Sequence, residues 1–534
     1  MEYLSQRKKL IVMLAIMSAL FFASLNQTII GTALPTIVAQ LGGADYFDWV
    51  FTINMLASAI TVIIVGKLSD IYGRRSFLLY GLGVLILGCV LCGTAKTMFQ
   101  LILYRGVQGI GEGMVMSTVF TSVGDLFAPR ERGKWQGMLG ATFGLTSILG
   151  PSIGGFIVHH WSWPWIFWVF LPVGIISLFL ILSLYPKTDF HQREAVDYWG
   201  AFALIAMMLP MMFALSFGGK AYAWTSPLIL SLLGMTILSF SVFLIIESKV
   251  ENPMVPLKLF KNSIFTLSNI VSFGIGIGMF GTIMYIPFLA QGVLGTDSSK
   301  TGMIMMSLII SMMVFSTISG QIVSKTGKYK VLSIFGLVTM TGASYLLYLS
   351  DPSTTPLTLV SKLVLFGIGL GICFPIFSLT AQNALEHRYL GVATSTNQLF
   401  RQLGGTVGVA IMGTIMSTQL NEKLTHIPLL DKITNSHVQL DGSHYESNLK
   451  ALLDPQKLGE IRAHLPSAQM AQFDHLVMEL RHTIDEAIGG IFLFIMLSLL
   501  VCVVLSFFIK EIELRTVNTP ESAENTETNS TSTA

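Results

Sequence analysis

The chain is 534 residues long, 52% hydrophobic and only 12% charged, with 32 Lys and Arg against 30 Asp and Glu. A soluble chain carries about 25% charged residues, so the composition excludes an ordinary soluble domain and points to a membrane protein. The near-balance of charge argues against a nucleic-acid or strongly acidic partner.

Apolar runs separated by short polar connections predict fourteen spans, at 10–34, 47–66, 77–95, 99–123, 134–158, 164–185, 198–218, 226–247, 264–290, 301–324, 330–350, 356–382, 391–419 and 486–509. About 20 apolar residues cross a bilayer, and a helix satisfies its own backbone there. Arg7, Lys8 and Lys9 precede the first run, which is too long for a signal segment and reads as a retained helix. It holds Asn26 and Gln27 in the stretch LNQTIIGTALP.

The second run ends in GKLSDIYGRR, where Gly66 and Gly73 permit a close helix approach and a tight turn. Asp70 there can meet Arg74, Arg75 or a helix N-terminus. Cys89 and Cys92 in the third run form a C-x-x-C pair with no second pair or histidine cluster, and with Cys373 and Cys502 they read as packing residues. Neither a disulfide framework nor a metal site is expected.

The fourth run, LILYRGVQGIGEG, contains Arg105, Gln108 and Glu112. Of the 30 acidic residues only Glu112 falls mid-span. A carboxyl there is costly to insert and should face the bundle interior or a watery cavity. Either it carries protons, or it is a structural group paired with a cation of another helix such as Arg401. Arg105 lies two turns back, about 10 Å along the axis, which is too far for a direct ion pair. The fifth run, GATFGLTSILGPSIGGF, removes bulk along one face at Gly144, Gly150, Gly154 and Gly155. Pro151 deletes a helix hydrogen bond and should kink it.

Two later stretches repeat earlier ones. GQIVSKTGKYK after the tenth span matches GKLSDIYGRR, and GIGLG in the twelfth matches the GIGEG of the fourth, with Leu370 at the place of Glu112. Both pair span n with span n+8. Spans seven and eight are therefore an insertion, which divides the chain into a six-helix half (1–190), two inserted helices and linker (191–262), and a second half (263–510) with an outer loop at 420–485. A tail rich in Ser, Thr, Asn and Glu (511–534) should be disordered. Leu449, Leu452, Leu453, Leu458, Ile461 and Leu465 in the loop are spaced for amphipathic surface helices. Asn26, Gln27, Gln108, Asn397 and Arg401 are the expected substrate cavity, with Lys362 and Gln402 as further candidates. Some of the 27 methionines offer an adaptable wall.

Orientation follows from the basic residues. With both termini in the cytoplasm the inner segments hold twenty Lys and Arg, including Lys67, Arg130, Lys187, Arg193, Lys325 and Arg515, and the short outer loops hold three, Lys96, Lys220 and Lys300.

These motifs together resemble the major facilitator superfamily, and the fourteen-span count resembles its drug:proton antiporter family of the EmrB/QacA type. The resemblance covers nearly the whole chain except the tail. It implies an all-α fold of two pseudo-symmetric six-helix halves with two inserted helices. It further implies that Gly66, Asp70, Gly73 and Arg74 latch the halves, and that the span-five glycines and Pro151 oppose proton leak and favour exchange over symport. Family members commonly carry an Asp in span one near the position of Asn26. Asn26 cannot carry a proton, so Glu112, with Arg105 biasing it, is the candidate to replace that acid.

The expected function is a non-enzymatic secondary exporter of small amphipathic compounds in the plasma membrane, driven by the proton gradient. It should work as a monomer among lipids with no cofactor, metal or nucleic acid. A proton-coupled exporter of one endogenous metabolite or envelope lipid is the alternative, and a non-transporting receptor or assembly protein a third. The chain contains no G-x-x-x-x-G-K-[ST] for ATP.

Overall fold

The computed structural model describes residues 5–42, 46–186, 196–219, 222–296, 298–351, 353–424, 467–512 and 514. They form α1 (Gln6–Leu41), α2 (Phe47–Tyr72), α3 (Arg74–Gly93), α4 (Met98–Leu126), α5 (Pro129–His160) and α6, which is in two pieces (Trp165–Trp168 and Leu171–Leu184). Two helices follow, α7 (Tyr198–Phe217) and α8 (Pro227–Lys249). The last six are α9 (Ser263–Phe288), α10 (Ser298–Thr326), α11 (Lys330–Tyr348), α12 (Pro356–Asn383), α13 (Leu390–Leu424) and α14 (Ser467–Phe507).

Among the described residues thirteen spans are long and apolar enough to cross a membrane. The fourteenth helix, α4, is 29 residues long and less apolar because it carries Arg105, Gln108 and Glu112. Local chemistry sets the ends. Thr97 Oγ1 accepts the Gln100 N–H to cap α4, Asn262 Oδ1 accepts from Ile264 (3.0 Å) at the start of α9, and Pro129 opens α5, where a missing N–H costs nothing. The sixth span is interrupted before Pro172, which cannot donate to the turn behind it.

One expectation needs correction. The stretch 420–485, read as loop, is helical at both ends, because α13 runs to Leu424 and α14 starts at Ser467. The apolar positions Leu449 to Leu465, the tail from 515, and Lys187, Arg193, Lys220 and Arg515 lie outside the described residues.

Packing follows the repeat. In the first half α2 and α3 lie on α4, and α5 and α6 on α1. In the second, α10 and α11 lie on α12, and α13 and α14 on α9. The halves meet at two seams, α2 with α13 and α5 with α10, which the n to n+8 relation exchanges. The turns after α2 and α10 both need a left-handed residue, supplied by Gly73 (φ 99°) and Gly327 (φ 72°).

The inserted pair breaks this symmetry. Helix α7 covers the α2–α13 seam through Leu204, Met208 and Met212, packed with Leu56 and Ile63 of α2 and Leu399 of α13. Helix α8 rests on α7 and exposes Leu230, Ile237 and Leu238, as a lipid-facing helix should.

Candidate functional site

Glycines of α4 bring the first site together. A Cβ at Gly113 would stand 2.6 Å from the Ser58 carbonyl oxygen of α2, and one at Gly111 would stand 2.7 Å from Leu85 Cα of α3. Gly109 is equally tight against Asn54 and Ala57. Only at this spacing can the carboxyl of Glu112, which is 1% exposed, meet Asn54 of α2. With the Asn54 amide turned so that its oxygen accepts from the Gly109 N–H (3.1 Å), its nitrogen donates to Glu112 Oε2 (3.2 Å). Among the described residues Glu112 forms no ion pair with Arg105 or Arg401, so its partner is a neutral amide rather than a cation from another helix.

Arg105 starts a second, connected network. Its Nε donates to the Val50 carbonyl (3.2 Å) and its Nη1 to Gln108 Oε1 (2.5 Å). Gln108 Nε2 donates to Asn26 Oδ1 (3.2 Å) and to Cys89 Sγ (3.2 Å). Asn26 also accepts from Cys89 Sγ (3.1 Å) and donates to the Phe22 carbonyl (2.8 Å). Asn26 therefore meets Arg105 only through Gln108, which stands between them. Cys89 and Cys92 are free thiols buried in the main apolar core, as expected of packing residues, and they also touch the network, since Cys92 Sγ donates to Gln108 Oε1 (3.7 Å).

The end of the bundle with the turns after α2 and α10, here the basic end, carries the second site. Asp70 pairs with Arg74 and also accepts the N–H groups of Gly391 (3.1 Å) and Val392 (3.3 Å) at the start of α13. A carboxylate there is favoured by the helix dipole. Gly66 lies against Ser395 and the Gly391 carbonyl, with no room for a side chain. Arg74 reaches Ser69 Oγ (2.6 Å) and Asp125 of α4 (3.0 Å). Asp125 escaped the sequence reading because an acid at a helix end is unremarkable in type. Arg75 lies apart from the cluster and donates to the Leu182 carbonyl (2.5 Å). The exchanged seam closes differently. Arg130 of α5 donates to the carbonyls of Ser324 (3.1 Å) and Lys325 (2.9 Å), and Gln136 donates to Gln382 Oε1 (2.9 Å).

The span-five residues do not share one face. Gly150 and Gly154 pack on Thr28, Ile29 and Thr32 of α1, whereas Gly144 faces Met313 of α10 at 3.3 Å from a would-be Cβ. Gly155 has nothing within 4 Å, and Pro151 is exposed. The glycines that press α5 on α10 are Gly133, Gly137 and Gly140, followed by Gly144. Their four-three-four spacing in RGKWQGMLGATFG was the available signal.

The expected cavity residues fall into separate places. Asn26 and Gln108 belong to the Arg105 network. Asn397 donates to Ser272 Oγ (2.8 Å) and Asn269 Oδ1 (3.3 Å) in the second half. Arg401 lies over the Phe374 ring (4.1 Å), Gln27 is half-buried, and Lys362 donates to Ser350 Oγ (2.8 Å). A cavity of about 310 Å³ opens at the α2–α13 seam, and of these candidates only Gln402 lines it.

Known proteins are similar to this chain in sequence and fold. The Major Facilitator Superfamily model matches residues 16–409. Multidrug transporter protein MdtP of Bacillus subtilis (strain 168) is 36% identical over 516 residues, covering 95% of this chain and 94% of its own. Multidrug resistance protein 3 of the same organism is 32% identical over 507 residues, covering 95% and 96%. The fold is also that of the human organic anion transporter MFSD10 (TM-score 0.60, 15% identity, 92% of this chain and 99% of that one). The chain is a membrane transporter of the Major Facilitator Superfamily, in the group of relatives named for multidrug transport.

Proposed function

We propose that the protein exports small amphipathic compounds across the plasma membrane in exchange for protons, with Glu112 as the group that takes up and releases the proton. The observation that carries the reading is a carboxyl 1% exposed in mid-helix whose partner is the Asn54 amide. A buried carboxylate with a cationic partner is held ionised. An amide can serve a carboxyl group in either state, by donating to the carboxylate or accepting from the acid. Both B. subtilis relatives carry multidrug names, which supports the substrate class. In this proposal the basic end and both termini face the cytoplasm, the protein works as a monomer without a cofactor, and the Asp70 contacts to α13 close the cytoplasmic side. They must part when the carrier turns inward. One proton moving down about 100 mV supplies about 2.3 kcal/mol, a gradient of about fiftyfold.

Export of one acidic metabolite is the second reading. Arg401 favours it, because it is a cation on an aromatic ring with no ion pair among the described residues.

The test uses inside-out vesicles with an acid interior and a panel of lipophilic cations, neutral drugs and organic acids. Addition of a transported compound should collapse the pH gradient with the wild type and not with Glu112→Gln. Equal collapse with both proteins would make Glu112 structural. Collapse by acids alone would select the second reading.

A further inference from the structure

The cavity at the α2–α13 seam lies outside both networks. Its walls include Thr52 and Met55 of α2, Ser216 of α7, Phe280 of α9, and Gln402 and Thr406 of α13, and every lining side chain is uncharged. Its volume, about 310 Å³, falls within the range of small-molecule sites. The polar atoms are gathered rather than scattered. Gln402 Nε2 donates to the Met55 carbonyl (3.2 Å) from one half to the other, Thr406 Oγ1 donates to the Gln402 carbonyl (3.0 Å), and the Thr52 and Ser216 hydroxyls lie 3.4 Å apart. One turn further from the basic end, Trp49 packs against Phe213 and Phe217 (ring centroids 5.5 and 5.3 Å). Ile283 of α9, at the wall, is 40% exposed, so the cavity opens to the protein surface there.

The position on α2 adds a consequence. Thr52, Met55 and Leu56 face the cavity, while Asn54 and Ser58, on the other side of the same turns, face α4 and Glu112. A single helix wall separates an open apolar space from the buried carboxyl. Anything that enters the space and displaces α2 moves the amide on which Glu112 depends.

We propose that this cavity is a binding site for an uncharged, mainly apolar small molecule with one hydrogen-bonding group, entered through the opening beside Ile283. It rests on the exchange reading in one respect only, that such a molecule is cargo. The chemistry that selects it is the wall. An apolar body gains by leaving water, a charged group finds no counter-charge, and one polar atom finds the Gln402 carboxamide or the Thr406 hydroxyl. A phospholipid chain at this depth has only methylenes and leaves those groups unused. The inserted helix α7 acquires a role here, as the outer wall that turns an open seam into a pocket.

The probe is a diazirine-bearing decanol, photolysed on the full-length protein in phospholipid nanodiscs, with adducts located by peptide mass spectrometry. Adducts should concentrate at 51–56, 212–216 and 402–410 and be suppressed by the neutral competitor N-phenyl-1-naphthylamine. Ser216→Trp, which fills the cavity from α7, should cut labelling there about tenfold. Thr406→Phe, which fills it from α13, should do the same and guards against a folding defect in the first variant. Glu112→Gln should label like the wild type, so failure of proton exchange and failure of this site give different results. Labelling spread over lipid-facing helices such as α8 and unchanged by both fillings would overturn the proposal. So would a tightly retained phospholipid, seen by native mass spectrometry, that the neutral competitor fails to displace.

Discussion

Helices α4 and α12 are one design used twice, and they differ where it matters most. Gly109, Gly111 and Gly113 dock α4 on α2 and α3, and Gly367, Gly369 and Gly371 dock α12 on α10 and α11 with the same register. Gly109 meets Asn54 and Gly113 meets Ser58, while Gly367 meets Leu308 and Gly371 meets Met312. Leu308 therefore holds the place of Asn54, and Leu370 that of Glu112. Where one half buries a carboxyl and an amide, the other buries two leucines. The fold needs the glycines in both copies and needs the polar pair in neither. A polar pair that the second half does without, and that costs free energy to bury in a membrane helix, is what the proposed proton exchange calls for.

The strongest way to break the comparison is to make the halves alike. Asn54→Leu with Glu112→Leu copies the second half into the first. Proton exchange should vanish, measured as loss of substrate-induced collapse of the pH gradient in vesicles. The folded protein should meanwhile gain about 1 kcal/mol, read as a raised unfolding midpoint in detergent, because apolar replacements of matched volume often improve on a buried polar group. Exchange that survives the double change would remove Glu112 from the mechanism.

The reverse change sharpens it. Leu370→Glu places a carboxyl in the second half with no amide to meet it and should destabilise by about 3 kcal/mol. Adding Leu308→Asn should restore about 1 kcal/mol of that through the new hydrogen bond. A double-mutant cycle of unfolding midpoints measures the coupling. No coupling would mean that the register inferred from the glycines does not bring positions 308 and 370 together.

The sequence carried most of the fold because its signals are coarse. Long apolar runs mark spans, and repeated glycine spacings mark the pairing of n with n+8. Glu112 was legible because a lone acid in an apolar run has few meanings. Asn54 was not, because an amide on a helix can face any direction, and only the contacts at Gly109 and Gly113 settle which. The same limit hid Asp125 and Arg130, charges at helix ends that look like ordinary loop polarity until the ends of other helices arrive beside them. Cys89 and Cys92 were legible as packing residues, and both lie in the apolar core. Their apolar neighbours in the chain gave no sign that Gln108 and Asn26 also reach them from other turns.

The smallest effects separate the glycines that form the α5–α10 seam from the span-five glycine that faces open space. Gly137 faces the Ser316 backbone of α10, where an added Cβ would collide with the carbonyl oxygen and stand 3.1 Å from the carbonyl carbon. Backbone cannot swing aside as a side chain can, so Gly137→Ala should cost about 1 kcal/mol in unfolding and slow exchange by weakening the α5–α10 contact. Gly155, although part of the span-five motif that Gly137 precedes, has open space at its Cβ position. Gly155→Ala introduces no clash and replaces a poor helix former by the best one, so it should be neutral or stabilising by up to about 1 kcal/mol. Unfolding midpoints of the two variants decide the matter. If Gly155→Ala were the more damaging, its face would have to close against another helix during transport, and the seam would extend to the outer end of α5 in a second conformation.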